Sequence, residues 1–105
     1  MQEPTFLILT VLAAAPQHGY AIMTEIRSMS AGRVRLRAGT LYAALDRLLT
    51  ADLIEVDREE VVDGRLRRYY ALLPEGRRRL TTEAERLQAN VTAALTKLRT
   101  SEALG

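Results

Sequence analysis

The stretch Gly39-Thr40-Leu41-Tyr42-Ala43-Ala44-Leu45-Asp46-Arg47-Leu48-Leu49 carries the clearest structural pattern in the chain. Its leucines recur at the spacing that places apolar side chains along one side of an α-helix. These residues are Leu41, Leu45, Leu48 and Leu49. The pattern therefore predicts a helix whose leucine side belongs to the hydrophobic core.

The opposite side of this helix is predicted to be small and able to form hydrogen bonds. It carries Thr40, Ala43, Asp46, Arg47 and Thr50, with Tyr42 on its flank. Alanine and glycine let a helix backbone approach base edges, and the free N–H groups of a first helical turn attract phosphate. Such a face fits a DNA groove, and it also fits an ordinary amphipathic helix with one solvated side.

The composition indicates one globular domain without catalytic chemistry. The chain has 105 residues, 48% of them apolar and 27% charged, with one histidine and no cysteine. No arrangement typical of catalytic residues is present, so no enzyme, cofactor or metal site is predicted. The apolar run from Phe6 to Ala15 is too short to cross a bilayer, and Met1 to Pro4 lacks the basic start of a secretory signal. We therefore expect a cytoplasmic protein that does not contact membranes.

The positive charge is modest in total but concentrated along the chain. The formal net charge is +2, yet nine of the fifteen Lys and Arg residues lie in three groups. The groups are Arg33, Arg35 and Arg37, then Arg65, Arg67 and Arg68, then Arg77, Arg78 and Arg79. Arginine suits bidentate contacts with phosphate or guanine, although each group taken alone also fits a solvated surface.

Two further helices and a short strand are predicted before residue 38. The first helix, Thr5 to Ala15, is apolar on nearly every side, so it must be covered on every side, and a partner subunit could cover part of it. The second opens at His18-Gly19-Tyr20 and closes at Gly32. We interpret His18 as a polar residue at a helix start, because no nucleophile or orienting partner accompanies it. Arg33 to Arg37 alternates polar and apolar residues, which predicts a short, half-buried strand.

A basic β-hairpin is predicted after the leucine-rich helix. Leu53 to Asp57 and Leu66 to Leu73 have the pattern of strands, and Asp63-Gly64 between them is a strong hairpin signal. Following three helices, a hairpin of this kind looks like the wing of a winged-helix domain. The predicted fold class is mainly α with a small β-hairpin, that is, α+β.

The last predicted helix begins at Pro74, since proline suits the first turn of a helix. Beyond it, apolar residues follow a heptad spacing: Leu80, Ala84, Leu87, Val91, Ala94 and Leu98. This seam covers fewer than three heptads, which is short for an autonomous coiled coil. We therefore expect it to pack against the apolar first helix of a second subunit, through residues such as Phe6 and Leu9.

Taken together, these motifs resemble the PadR family of bacterial transcriptional regulators. The resemblance is carried, in order from Phe6 to Leu80, by His18-Gly19-Tyr20, Gly39-Thr40-Leu41-Tyr42, Leu45, Arg47-Leu48, Leu53-Ile54, Arg68-Tyr69-Tyr70 and Glu75-Gly76-Arg77-Arg78-Arg79-Leu80. It implies a winged helix-turn-helix domain over residues 1–73 and a dimerisation helix over residues 74–105. It also implies repression of a nearby promoter, which a small aromatic or drug-like effector relieves in some members.

The sequence departs from the family pattern at three places. Ala43 stands where proline is frequent, Asp52 where glycine is frequent, and Leu73-Pro74 where Leu-Thr is usual. Aspartate tolerates a left-handed backbone and proline suits a helix start, so we expect the fold to be kept.

On this interpretation a homodimer places two copies of the leucine-rich helix roughly 34 Å apart, about one duplex turn, on a pseudo-palindromic operator. The residues expected to contact double-stranded DNA are His18, Tyr20, Arg37, Gly39, Thr40, Tyr42, Ala43, Arg47, Arg65 and Arg67. The helix residues face the major groove, and the hairpin arginines reach the backbone or the minor groove. The alternative is a winged-helix module that binds a protein partner, which Asp46 in the contact face and the low net charge favour.

Overall fold

Four helices and a three-stranded antiparallel sheet make up residues 1–104, the part of the chain that the computed structural model describes. The elements are α1 (Glu3–Ala14), β1 (Gln17–His18), α2 (Gly19–Met29), α3 (Ala38–Thr50), β2 (Ile54–Val62), β3 (Arg65–Leu72) and α4 (Pro74–Leu104). The α+β class is as predicted, and the two-residue strand β1 is an addition. Within residues 1–104, no helix combines the length and the apolar content that crossing a bilayer requires.

A single hydrophobic core joins α1, α2 and α3 to the base of the sheet. Its buried members are Ile8, Leu9, Val11, Leu12, Ile22, Ile26, Leu41, Ala44, Leu45, Leu48, Leu53, Ile54 and Tyr70. The leucine side of α3 is therefore core, as its spacing predicts, with Leu49 packed at the edge. Since apolar burial is the dominant favourable term in folding, this stripe fixes how α3 is rotated and which of its residues face outward.

The segment between α2 and α3 is irregular, so the predicted strand at Arg33 to Arg37 is wrong. Ala31 and Gly32 have φ angles of 52° and 79°, and the backbone N–H of Val34 donates to Ser30 Oγ at 2.9 Å. Val34 and Leu36 are half-buried, so the alternation correctly separates inner from outer side chains. A strand also requires a neighbouring strand to complete its hydrogen bonds, and the edge of β3 is occupied by β1 instead.

The hairpin forms where the sequence predicts it, but β2 is longer than expected. Asp63 and Gly64 have φ angles of 51° and 74°, as a tight two-residue hairpin turn requires. The ladder runs up to this turn, with Val62 paired to Arg65, so β2 continues past the predicted end at Asp57. The register shifts between Val56 and Arg58, which marks a β-bulge. The charged residues after the bulge obscure the strand pattern because both faces of the outer hairpin are exposed.

Helix α4 begins at Pro74, as predicted, and only its first turns lie on the body of the protein. Gly76 rests on the backbone of Leu53, and Leu80 packs against the core. From Ala84 onward the helix is exposed, and it contributes to an elongated shape of 64 × 28 × 20 Å. The expected dimerisation segment ends at Gly105, which lies outside the described residues.

Glu83 is a buried carboxylate that anchors α4 to the start of the chain. Its side chain lies 3.0 Å from the Met1 α-amino group and also accepts a hydrogen bond from Arg86 Nε. The Arg86 hydrogen bond, followed by the α-amino group, lowers the pKa of Glu83 from 4.5 to about 2. Because the folded-state pKa is lowered, this pairing stabilises the fold at pH values above 4.5 and is lost as the pH falls toward 2.

We expect Glu83→Gln to lower the free energy of unfolding near neutral pH, because the amide cannot pair with two cations. The difference from the native protein should shrink as the pH falls from 4.5 toward 2, because Glu83 of the unfolded native chain protonates in this range before Glu83 of the folded protein does. Urea denaturation across this pH range would measure it. Glu85→Gln is the matched control, since it removes the same charge from an exposed position of the same helix. A pH-independent difference for Glu83→Gln would contradict the role of the ion pairs.

Candidate nucleic-acid interface

The outward side of α3 is exposed to solvent. Its residues Thr40, Ala43, Asp46, Arg47 and Thr50 are all exposed. The Thr50 hydroxyl donates to the Asp46 carbonyl oxygen at 2.9 Å, within the helix itself. The side that faces water is therefore the small, polar side that the sequence predicts, and it is accessible to an external partner.

The N-terminus of α3 is exposed and uncapped. Arg37 occupies the cap position without a side-chain hydrogen bond, and the first helical bond runs from the Leu41 N–H to the Arg37 carbonyl oxygen. The N–H groups of residues 38 to 40 consequently have no hydrogen-bond partner within residues 1–104. A Cβ added to Gly39 would meet no atom within 4 Å, so the fold itself does not require a glycine there.

Tyr42 lies across the start of α2. Its ring covers Gly19, and a Cβ at that position would overlap the Tyr42 hydroxyl group. Tyr42 remains half exposed, while Tyr20, one residue beyond Gly19, is 72% exposed. Tyr20 is therefore a surface side chain and does not belong to the core.

His18 caps α2, in agreement with its interpretation as a polar helix-start residue. Its Nδ1 accepts a hydrogen bond from the Ala21 N–H at 3.4 Å, so the neutral ring carries its proton on Nε2. Burial, and then the positive charge of Arg67, lower the pKa of His18. The ring also meets Tyr69 edge-on, with a centroid distance of 5.3 Å and an interplanar angle of 81°.

The outer hairpin is held by stacking and ion pairs that leave its predicted contact arginines free. The Arg58 guanidinium lies 3.9 Å from the centroid of the Tyr69 ring, so this ring packs within the hairpin. Arg68 forms a salt bridge with Glu59 at 3.1 Å. Within the described part of the chain, no salt bridge or side-chain hydrogen bond involves the four predicted contact arginines. These are Arg37, Arg47, Arg65 and Arg67.

A cleft of about 900 Å³ separates the hairpin from α2 and α3. Five of the predicted contact residues line it: His18, Tyr20, Tyr42, Arg65 and Arg67. The other five lie outside the cleft along the exposed part of α3: Arg37, Gly39, Thr40, Ala43 and Arg47. Sequence reasoning did not include Leu66 and Arg68 in the lining, although the strand alternation places both on the face of the hairpin that carries Tyr70.

A second exposed surface runs along α4. Ala84, Leu87, Val91, Ala94 and Leu98, which belong to the predicted heptad stripe, are all exposed there. Leu80 packs on the core of its own chain, and Phe6 is half-buried. Leu9 was predicted at the dimer interface, but it is completely buried in its own core, so that assignment is wrong. An all-apolar helix gives no sequence signal for which side faces inward.

Comparison with known protein families and sequences identifies relatives of this chain. Residues 8–82 match the model of the transcriptional regulator PadR-like family. A transcriptional regulator of Mycobacterium tuberculosis is 46% identical over 54 residues, which cover 51% of this chain and 50% of that protein. An uncharacterized protein X of Lysinibacillus sphaericus is 31% identical over 71 residues, which cover 68% of this chain and 65% of that protein. An uncharacterized 37.1 kDa protein of a Streptomyces fradiae transposon is 41% identical over 82 residues, which cover 78% of this chain and 22% of that protein. The chain thus spans less than two thirds of the length of these curated relatives.

Solved structures share the fold. A PadR family transcription regulator from Clostridium difficile superimposes with a TM-score of 0.78 at 25% identity, covering 92% of this chain and 99% of that one. RosR of H. salinarum superimposes with a TM-score of 0.68 at 28% identity, covering 86% of this chain and 76% of that one. Bacillus subtilis PadR in complex with operator DNA superimposes with a TM-score of 0.71 at 18% identity, covering 79% of this chain and 48% of that one. At this identity the similarity is one of fold alone.

Proposed function

Because the chain belongs to the PadR-like family of transcriptional regulators, we propose that it is a sequence-specific, dimeric DNA-binding repressor of a nearby promoter. One observation carries this proposal. The small, exposed side of α3 and the unpaired arginines Arg65 and Arg67 of the hairpin flank the same cleft, and Tyr42 and Asp46 of α3 line it. A helix face for one groove and free cations for the adjacent backbone are what a winged helix needs to bind a duplex.

Helix α3 is the proposed recognition helix. Thr40 and Arg47 have exposed hydrogen-bonding groups that can reach base edges in the major groove, and Ala43 between them keeps the helix close to the bases. Arg37 and the unpaired N–H groups at the start of α3 bind phosphate, since a helix N-terminus attracts anions. These contacts set the orientation of the helix in the groove.

The hairpin, which we now call the wing, adds affinity through its cations. Arg65 and Arg67 are free to neutralise phosphates on the strand beside the recognition helix. Tyr20 and His18 line the same cleft, and their hydroxyl and ring N–H groups can donate to the same backbone. Residues 1–73 form the proposed DNA-binding unit.

The exposed seam of α4 supports the proposed homodimer. Val91, at its centre, is 51% exposed, although it is apolar and belongs to a regular heptad stripe. We propose that residues 74–105 of two subunits pack together and against the outer side of α1, where Phe6 is still partly accessible. Such a dimer presents two recognition helices to a pseudo-palindromic operator.

A small aromatic or drug-like effector that releases the operator is part of the proposal, as the resemblance to the family implies. Adding a panel of small aromatic and drug-like compounds to the complex would test it, with dissociation of labelled operator as the measurement.

Asp46 favours a second candidate function, a winged-helix module that binds a protein. It is exposed on α3 and lines the cleft, where its charge would repel phosphate. The two functions are separated by titrating the protein against the duplex upstream of its own coding sequence, with an unrelated duplex as the control, at two salt concentrations. Tight, selective and salt-sensitive binding supports the repressor. If neither that duplex nor any duplex from a random library binds selectively, the protein-binding module is favoured.

We expect Arg65→Ala and Arg47→Ala to weaken DNA binding in different ways. Loss of the Arg65 phosphate contact should weaken operator and unrelated duplex about equally and reduce the salt slope, d log K/d log[salt], by roughly one. Loss of Arg47, which faces base edges, should cost about 1–3 kcal/mol on the operator and change the preferred base at one position.

Arg78→Ala is the matched control for both variants. It removes the same charge, but Arg78 is paired with Glu75 on α4, away from the cleft. Fluorescence anisotropy over a salt series would measure all three proteins. Equal loss of sequence discrimination from Arg65→Ala and Arg47→Ala would contradict the assigned roles.

A further inference from the structure

Two large apolar side chains lie exposed at the tip of the wing. Val61 and Leu66 are paired directly across the ladder. One residue pair, Val62–Arg65, separates them from the Asp63–Gly64 turn, and they are 74% and 61% exposed. The next pair toward the core on the same face is the Glu59–Arg68 salt bridge. This ion pair separates the apolar tip from the core, so Val61 and Leu66 are not an extension of it.

Nothing in the fold requires apolar residues at these two positions. A two-residue turn of this type is specified by its own Asp-Gly sequence, and a strand tolerates polar residues on an exposed face. An exposed cross-strand pair of this size therefore fits an external contact better than a structural role. The surroundings of the pair indicate the kind of partner. The unpaired Arg65 and Arg67 precede and follow Leu66 on the strand, and although their side chains alternate with it in direction, all three residues line the cleft.

The position of the cleft relates this tip to the grooves of a duplex. With α3 in the major groove, the strand that borders that groove must pass through the cleft between α3 and the wing. One sugar-phosphate strand separates the major from the minor groove, so the wing tip on the far side of the cleft reaches the minor groove. Leu66 lines the cleft, which places it at the entrance to that groove.

We infer that Val61 and Leu66 form an apolar contact with the minor groove that selects A·T over G·C pairs at the flanks of the operator. The inference rests on the proposed DNA-binding function. In the minor groove, a G·C pair adds the guanine N2 amino donor, whereas A·T pairs present acceptors only. Valine and leucine side chains cannot accept a hydrogen bond from that donor, so a G·C pair beneath them leaves it unsatisfied. The wing then contributes to sequence selection as well as to affinity.

The double variant Val61→Thr with Leu66→Gln tests this contact. Both replacements keep the approximate size and charge of the tip and supply hydrogen-bond acceptors for a guanine amino group. The native and variant proteins would each be used to select duplexes from a random-sequence library. Affinities would then be measured on one selected duplex and on a copy whose flanking A·T pairs are changed to G·C. Leu104→Gln, at an 85% exposed position at the end of α4, is the control for removing an exposed apolar side chain.

The native protein and the Leu104→Gln control should prefer A·T flanks about tenfold, and the double variant should reduce this preference to about twofold or less. The salt slope should not change, since no phosphate contact is removed. An unchanged flank preference, or a native protein without one, would overturn the inference. So would a lower salt slope, because the pair would then only position the arginines. If the native protein enriches no sequence at all, the proposed function itself fails.

Discussion

Gly76→Ala is expected to lower the free energy of unfolding by about 3 kcal/mol or more, the largest stability effect among the changes considered. A Cβ at this position would overlap the Leu53 carbonyl oxygen and lie 2.7 Å from Leu72 Cδ1. The obstacle is backbone, and the same carbonyl accepts a hydrogen bond from the Leu73 N–H at 3.0 Å, so it cannot move without losing that bond. Helix α4 would have to lift away from the sheet. For a domain whose total stability is roughly 5–15 kcal/mol, this is a large fraction.

Gly39→Ala is the matched control, because the same substitution in the first turn of α3 meets only open space. Alanine is a better helix former than glycine by about 1 kcal/mol, so this variant should be at least as stable as the native protein. Urea denaturation at one fixed protein concentration would compare the two, since the proposed dimerisation would make stability depend on concentration. A Gly76→Ala protein of native stability would show that α4 does not rest on Leu53 as closely as described.

Val91→Asp is expected to convert the proposed dimer into a monomer and to reduce operator affinity at least about 100-fold. An aspartate at the centre of the α4 seam would place two carboxylates against each other in an apolar interface, which is strongly unfavourable. A monomer holds only one half-site, so it loses the gain in affinity that linking two binding units provides, about 10²–10⁴-fold. Light scattering after gel filtration would measure the mass, and operator titration the affinity.

Thr96→Asp provides the control for this variant. It adds the same charge to the same helix, but on the side away from the heptad seam. This protein should remain dimeric and should bind the operator with nearly native affinity. If Val91→Asp also remained dimeric, the seam would not be the subunit interface, and the proposed arrangement of two recognition helices would lose its support.

Patterns with a clear period predicted the helical part of this fold well. The leucine spacing of α3 correctly assigned Leu41, Leu45 and Leu48 to the core, because burial of an apolar stripe determines the rotation of a helix. The Asp63-Gly64 turn was predicted for a similar reason, since few residues adopt its positive φ angles. Local chemistry was sufficient in both cases.

The errors arise where a feature depends on residues distant in sequence. Arg33 to Arg37 has the alternation of a strand, but β1 takes the edge of β3, and no rule based on local sequence reveals that competition. Leu9 was assigned to the dimer because every side of α1 is apolar, so only the packed structure shows which side faces inward. The continuation of β2 beyond Asp57 is missed because the charged Glu59 and Glu60 interrupt the apolar alternation, as happens in a strand that is exposed on both faces.

The sequence predicted which residues belong to the candidate site more completely than how those residues are arranged in space. The wing arginines Arg65 and Arg67 follow from the basic hairpin, and the structure adds that they are unpaired while Arg68 is neutralised by Glu59. Pairing depends on cross-strand register, and the bulge between Val56 and Arg58 shifts that register in a way the sequence does not reveal.

The contact between Tyr42 and Gly19 has a consequence for how this protein can diverge. The Tyr42 hydroxyl occupies the space in which a side chain at position 19 would begin, so the residue at position 42 limits the size of the residue at position 19. The two positions belong to different helices, yet a change at position 19 affects position 42. A lineage that acquires a larger residue at position 19 must either turn the Tyr42 ring away or exchange it for a smaller residue, and either change alters the surface of the proposed DNA interface. A lineage that first exchanges Tyr42 for a smaller residue frees position 19 to drift.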